Sequence, residues 1–148
     1  MKKLFLTMVV LAMTMIMPSA QAESSSAQDA AGTWTFFVTI NGAPPCQCIQ
    51  MARFLTNGGL DAPGNDHFTG QGLGEWKKTG SREVTFVIMQ NNLGPDGSAA
   101  GLYVIRGVMH LNASGDTGNG SSTFQLIDNS GKVLESGTAT FRATKLVL

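Results

Sequence analysis

The chain is predicted to be all-β: a single antiparallel up-and-down barrel of about eight strands, preceded by a cleaved export signal. Three observations predict it. Apolar and polar residues alternate with period two in run after run. Clusters rich in Gly, Asn and Asp separate the runs. After residue 22 no stretch carries a convincing helical period, so the crossovers that parallel strands need are not available. A meander of this many strands leaves two bare edges unless it closes on itself. Closure at about eight strands gives an interior that side chains can fill or that one small ligand can occupy. A two-sheet sandwich is the rival arrangement.

The first 22 residues read as an export signal. Lys2 and Lys3 form a positive start, residues 4–17 are an apolar run, Pro18 breaks it, and Ala20-Gln21-Ala22 is a small-x-small cleavage site. The apolar run is shorter than the roughly 20 residues of a relaxed membrane span. No cysteine flanks the cleavage point, so no lipid anchor is expected. The mature chain is therefore expected in the periplasm or outside the cell, with no membrane span of its own. Residues 23–31, rich in Ser and Ala, are expected to be a disordered lead-in. The barrel domain is expected over residues 32–148.

Without Lys2 and Lys3 the chain carries 8 basic and 10 acidic side chains, a formal charge of −2. Lys77-Lys78 is its only basic cluster. Nucleic acid and anionic membrane surfaces both require a concentrated basic face, so neither is an expected partner. All 18 glycines lie after the signal, mostly at turn positions, as many short strands require.

Thr33 to Ile40 is the first strand, with Trp34, Phe36, Val38 and Ile40 on one face. Asn41 to Pro45 ends it. Cys46 to Leu55 is read as a strand, although Gln50, Met51, Ala52 and Arg53 would also suit a short helix. Thr56 to Asp66, with Gly58-Gly59 and Pro63-Gly64, is read as a loop. His67 to Lys78 carries Gly70, Gly72 and Gly74 in step with Trp76, which bares one face for a large ring or a neighbouring backbone. Arg82 to Gln90 places Val84, Phe86 and Ile88 together, and Asn91 to Gly97 is read as a turn. Leu102 to Asn112 has an uncharged face of Tyr103, Ile105, Gly107, Met109 and Leu111. Ser114 to Gly120 is read as a turn and Ser122 to Asp128 as a strand. Lys132 to Val147 closes the chain, with Gly137, Ala139, Phe141, Ala143 and Lys145 on one face.

Gly32-Thr33-Trp34 on the first strand resembles the Gly-x-Trp signature of lipocalins and the wider calycin group. The resemblance implies that Trp34 packs across the closed base of a barrel. It also implies that a basic side chain near the end of the last strand, Lys145 or else Arg142, lies over its ring. The chain is also similar to secreted bacterial proteins of this size that share this start, a Gly74-x-Trp76 strand followed by Gly80-x-Arg82, an Arg106-Gly107 strand and a Gly-Thr-rich end.

Candidate chemistry is sparse. Cys46-Gln47-Cys48 suggests a disulfide in an exported chain, with an inert thiol pair, a redox pair and a soft-metal site as the alternatives. Residues i and i+2 of a straight strand lie too far apart to bridge without a bend, for which Pro44-Pro45 is the candidate source. A metal site would have to enlist Met51, His67 and His110, which are scattered, so no metal or other cofactor is expected. Acidic residues are dispersed, and no nucleophile elbow, phosphate loop or calcium loop is present. Trp34, Phe36, Trp76, Phe86, Tyr103, Phe124 and Phe141 either line an apolar pocket or form a packed core.

Three functions follow from such a scaffold. The first is a non-enzymatic exported barrel with a small apolar ligand as its partner. The second is a barrel enzyme of the cyclase or isomerase sort, resembling allene oxide cyclases, in which Arg106, His110 or Glu75 must face inward. The third is a filled barrel acting through its outer surface, for example as an inhibitor. The oligomeric state is left open.

Overall fold

The computed structural model describes residues 30–44, 48–64 and 69–147. The expected signal, most of the lead-in, Cys46 and His67 lie outside the described residues. Eight strands are present: β1 (Gly32–Ile40), β2 (Cys48–Phe54), β3 (Gly59–Ala62), β4 (Thr69–Lys78), β5 (Glu83–Leu93), β6 (Ala99–Leu111), β7 (Thr117–Ile127) and β8 (Val133–Lys145). Each pairs antiparallel with the next, and β8 returns to β1, so the sheet is a closed barrel. The all-β class, the up-and-down order and the closure are those the alternation predicts.

Several boundaries differ from the sequence expectation, β6 among them, which begins at Ala99 and not Leu102. β3 lies inside the expected loop, because four residues are too few to display a period. Its Leu60 and Ala62 are nonetheless 1% and 3% exposed. β5 runs on to Leu93 through the expected turn. β7 begins at Thr117, so Gly118 and Gly120 are strand residues opposite Leu111 and Met109. The lead-in also ends sooner than expected, since Ala30 is 1% exposed and part of the core.

Because strands alternate direction, the two ends of the barrel differ. The β2–β3, β4–β5 and β6–β7 turns share one end with the starts of β1 and β7 and the end of β8. The other four connections surround the opposite end, called the mouth below. The fully buried side chains Trp34, Phe54, Leu60, Val84 and Met109 gather toward the first end, so the core is bottom-heavy.

Asp side chains fasten three of the turns. Ser114 Oγ (2.7 Å) and Asn112 Nδ2 (2.8 Å) donate to Asp116. Ser130 Oγ and the backbone N–H of Lys132 donate to Asp128, and Ser98 donates to Asp96 through both its hydroxyl and its N–H. Each set of donors favours the ionised carboxylate and holds it below its ordinary range. The folded values are depressed, so the unfolded chain binds more protons in acid. This stabilisation is complete above the ordinary carboxylate range and is lost as pH falls through the folded values. The urea midpoint should therefore drop below about pH 4. A combined Asp96→Asn, Asp116→Asn, Asp128→Asn variant should show a flatter acid limb in a pH series of urea titrations. An identical limb would place the acid sensitivity elsewhere.

A half-filled barrel as candidate binding site

The closed end is built around Trp34, which is 0% exposed. Its indole N–H donates to the carbonyl of Ala30 at 2.8 Å, and Phe54 meets it edge-on at 6.5 Å between ring centroids. Lys145, its register partner on β8, places Nζ 5.8 Å from the ring centroid. A cation over an indole face contributes about 0.5–2 kcal/mol depending on desolvation. Gly32 has φ +133°, and a Cβ there would sit 2.7 Å from Lys145 Cε. The positive φ is the physical reason for glycine at the start of the Gly-x-Trp pattern in this chain, since the end of the lysine side chain can move aside.

Above this plug the rings interlock. Phe54 stacks on Phe36 at 6.3 Å and meets Trp76 edge-on at 5.6 Å. Trp76 anchors its own ring by donating Nε1–H to the Leu55 carbonyl at 2.8 Å. Phe36, Phe86 and Phe141 then form a triangle, with centroids 6.1, 5.3 and 6.0 Å apart. Rings in such edge and tilted arrangements contribute beyond the apolar area they bury. The triangle is a floor across the middle of the barrel.

The floor exists because rings fold over glycines on the neighbouring strand. Phe86 is the register partner of Gly107, Phe141 of Gly120, and Phe124 of Gly137. A Cβ on Gly107 would stand 2.7 Å from Phe86 Cε1, and one on Gly137 2.6 Å from Phe124 Cζ. The β4 glycines do the other thing expected of bare positions: a Cβ on Gly74 would strike the Val87 carbonyl. There the backbones of β4 and β5 approach closely, with no ring between.

Between the floor and the mouth lies a cavity of about 310 Å³. Its walls carry Val38, Ile40, Ala52, Ile88, Ile105 and Ala139. Polar groups stand nearer the mouth: Gln50, Thr69, Gln90, Tyr103 and Glu135. Gln90 is 2% exposed, and its Nε2 donates to the Gly70 carbonyl at 3.0 Å, which satisfies a buried amide. Wider depressions of about 770 and 640 Å³ lie on the outer wall. They are formed largely by outward side chains such as Phe37, Arg142 and Arg106. The cup is the mostly apolar space inside the barrel, concave and open at the mouth, a form that small-molecule sites take.

Of the side chains expected to line a pocket, Phe36, Phe86, Tyr103 and Phe141 border the cup, as does Phe124. Trp34 and Trp76 do not border it. They lie beneath the floor, where Phe54 covers them. Phe54 itself escaped the sequence reading, since Arg53 and Leu55 flank it without alternation. Arg106, His110 and Glu75 all project from the outer wall as exposed residues. His110 pairs only loosely, with Nδ1 3.6 Å from Glu83 Oε2. The inward basic and acidic groups that the cyclase reading needs are therefore not supplied by these three. Met51 and His110 stand on the outside of non-adjacent strands and do not converge. Cys48 is disulfide-bonded, and the sequence has one other cysteine, Cys46, outside the described residues.

Comparison with protein-family models gives no match, and comparison with curated proteins gives none.

Proposed function

We propose that this chain is an exported, non-enzymatic barrel that holds one small apolar ligand in the cup above the phenylalanine floor. The single observation that carries the reading is the half-filling of the barrel. Side chains pack the closed half to near-zero exposure, yet the upper half keeps about 310 Å³ between apolar walls. At about 30 Å³ per water-sized volume this is room for roughly ten such volumes, a small ligand rather than a long lipid. Apolar surface that stays open in a folded chain has a low affinity for water and a standing affinity for apolar solute.

The test is uptake of 1-octanol, which is neutral and of suitable size. Saturable binding should shift the methyl resonances of Ile88, Ile105 and Ala139 and raise the melting temperature in step with concentration. Ala139→Phe, which places a ring in the cup, should abolish both effects while the far-ultraviolet circular dichroism stays that of the parent. Unshifted methyl resonances in the parent protein would reject ligand holding and leave the outer surface as the working part.

A further inference from the structure

The cup carries a charge preference that its apolar walls conceal. Glu135 is on β8 and shares the inward parity of Gly137, Ala139 and Phe141. It borders the cavity. Register places it in a row of inward positions that steps around the mouth: Glu135, Leu126, Tyr103, Gln90, Gly72, Ala62. Among the described residues that line the cavity, Glu135 is the only charged one, and none is Lys, Arg or His.

No basic side chain lines the cavity, although Lys132 stands exposed in the β7–β8 turn at the mouth, outside that lining. Arg53, Lys77, Arg82, Arg106, Lys132 and Arg142 are exposed. Lys78 and Lys145 end their strands at the opposite, closed end. An anionic head seated at the mouth would therefore meet a carboxylate with no compensating cation in the described lining. A cationic head would find an opposite charge at the edge of an apolar space. Like charges set side by side are a strong device for rejecting a partner.

Resting on the reading of the cup as a ligand site, we propose that it selects apolar ligands bearing a protonated amine and rejects anionic amphiphiles of the same length. The tail lies on Phe36, Phe86 and Phe141, and the ammonium lies at the mouth beside Glu135. Glu135 is exposed at the rim, so the contribution of the pair is modest and screened by salt.

Three eight-carbon probes separate the possibilities: octylamine, 1-octanol and octanoate, which at pH 7 are cationic, neutral and anionic. Calorimetric titration at low ionic strength should rank octylamine over octanoate by roughly tenfold. The ratio should shrink in high salt. In Glu135→Gln it should fall to about twofold or less. Equal binding of octylamine and octanoate, or a ratio that Glu135→Gln leaves intact, overturns the charge preference while 1-octanol binding keeps the ligand site. An amine preference that persists in Ala139→Phe locates the amine outside the cup and overturns it too. Failure of all three probes removes the ligand site itself, and the preference with it.

Discussion

Trp34→Ala is expected to lower the free energy of unfolding by roughly 3–5 kcal/mol, the range for truncating a large buried aromatic. The side chain is 0% exposed, so no solvent fills the space it leaves without contact with apolar neighbours. Three further contacts vanish with it: the hydrogen bond to Ala30, the edge contact with Phe54, and the surface beneath Lys145. A domain of this size is stable by about 5–15 kcal/mol, so the variant should sit near its folding threshold. Urea denaturation followed by circular dichroism measures this, with an unchanged slope showing that the midpoint shift is a stability change. Lys145→Met should cost about 1 kcal/mol or less, because the lysine is only half-buried and its cation supplies a small share. A Trp34→Ala loss as small as that of Lys145→Met would show that the indole does not seal the base.

The ease with which Trp34 is found in the sequence, and the difficulty of finding Phe54, have one cause. On β1 the inward residues Trp34, Phe36 and Val38 are large, and the outward ones are mostly threonine, so the contrast between faces is high. On β2 the contrast is inverted. The inward residues before Phe54 are Cys48, Gln50 and Ala52, while Ile49 and Met51 face outward at 48% and 40% exposure. Period two is present there, but it does not say which face is inside. That information comes from β1, through the pairing of Phe36 with Gln50 and Trp34 with Ala52. β7 shows the same loss in another form. Its inward Gly118 and Gly120 look like turn residues because a glycine in a strand is explained only by the side chain that covers it, and that side chain is on a different strand: Met109 of β6 over Gly118 and Phe141 of β8 over Gly120.

The candidate site was legible to a similar degree. Phe36, Phe86, Tyr103 and Phe141 follow from parity alone. The depth of the cup does not, since it depends on how far each ring leans across its neighbour. Glu135 was missed although it obeys the parity of the last strand. It stands two residues beyond the glycine at which the recognised face begins, and an exposed acid near a turn attracts no notice until closure turns that face inward.

Gly107→Val tests the joint between floor and scaffold, and is expected to cost about 3 kcal/mol, at the upper end for overpacking a filled site. Phe86 cannot yield easily. Its ring is held by Phe36 at 6.1 Å, Phe54 at 6.0 Å and Phe141 at 6.0 Å, while a new Cβ at residue 107 would lie 2.7 Å from its Cε1. Gly107 has no positive φ, so the penalty is one of space and not of backbone conformation. A smaller partner should therefore relieve it. Phe86→Leu combined with Gly107→Val should be less destabilising than the two single losses added together, by about 1 kcal/mol or more. Strict additivity would mean that ring and glycine are neighbours without being mutually required. The functional consequence has a direction as well: the displaced ring has packed side chains below it and open volume above it. Gly107→Val should thus weaken 1-octanol uptake, and restoring room at residue 86 should recover part of it, since the same ring both closes the core and bounds the cup.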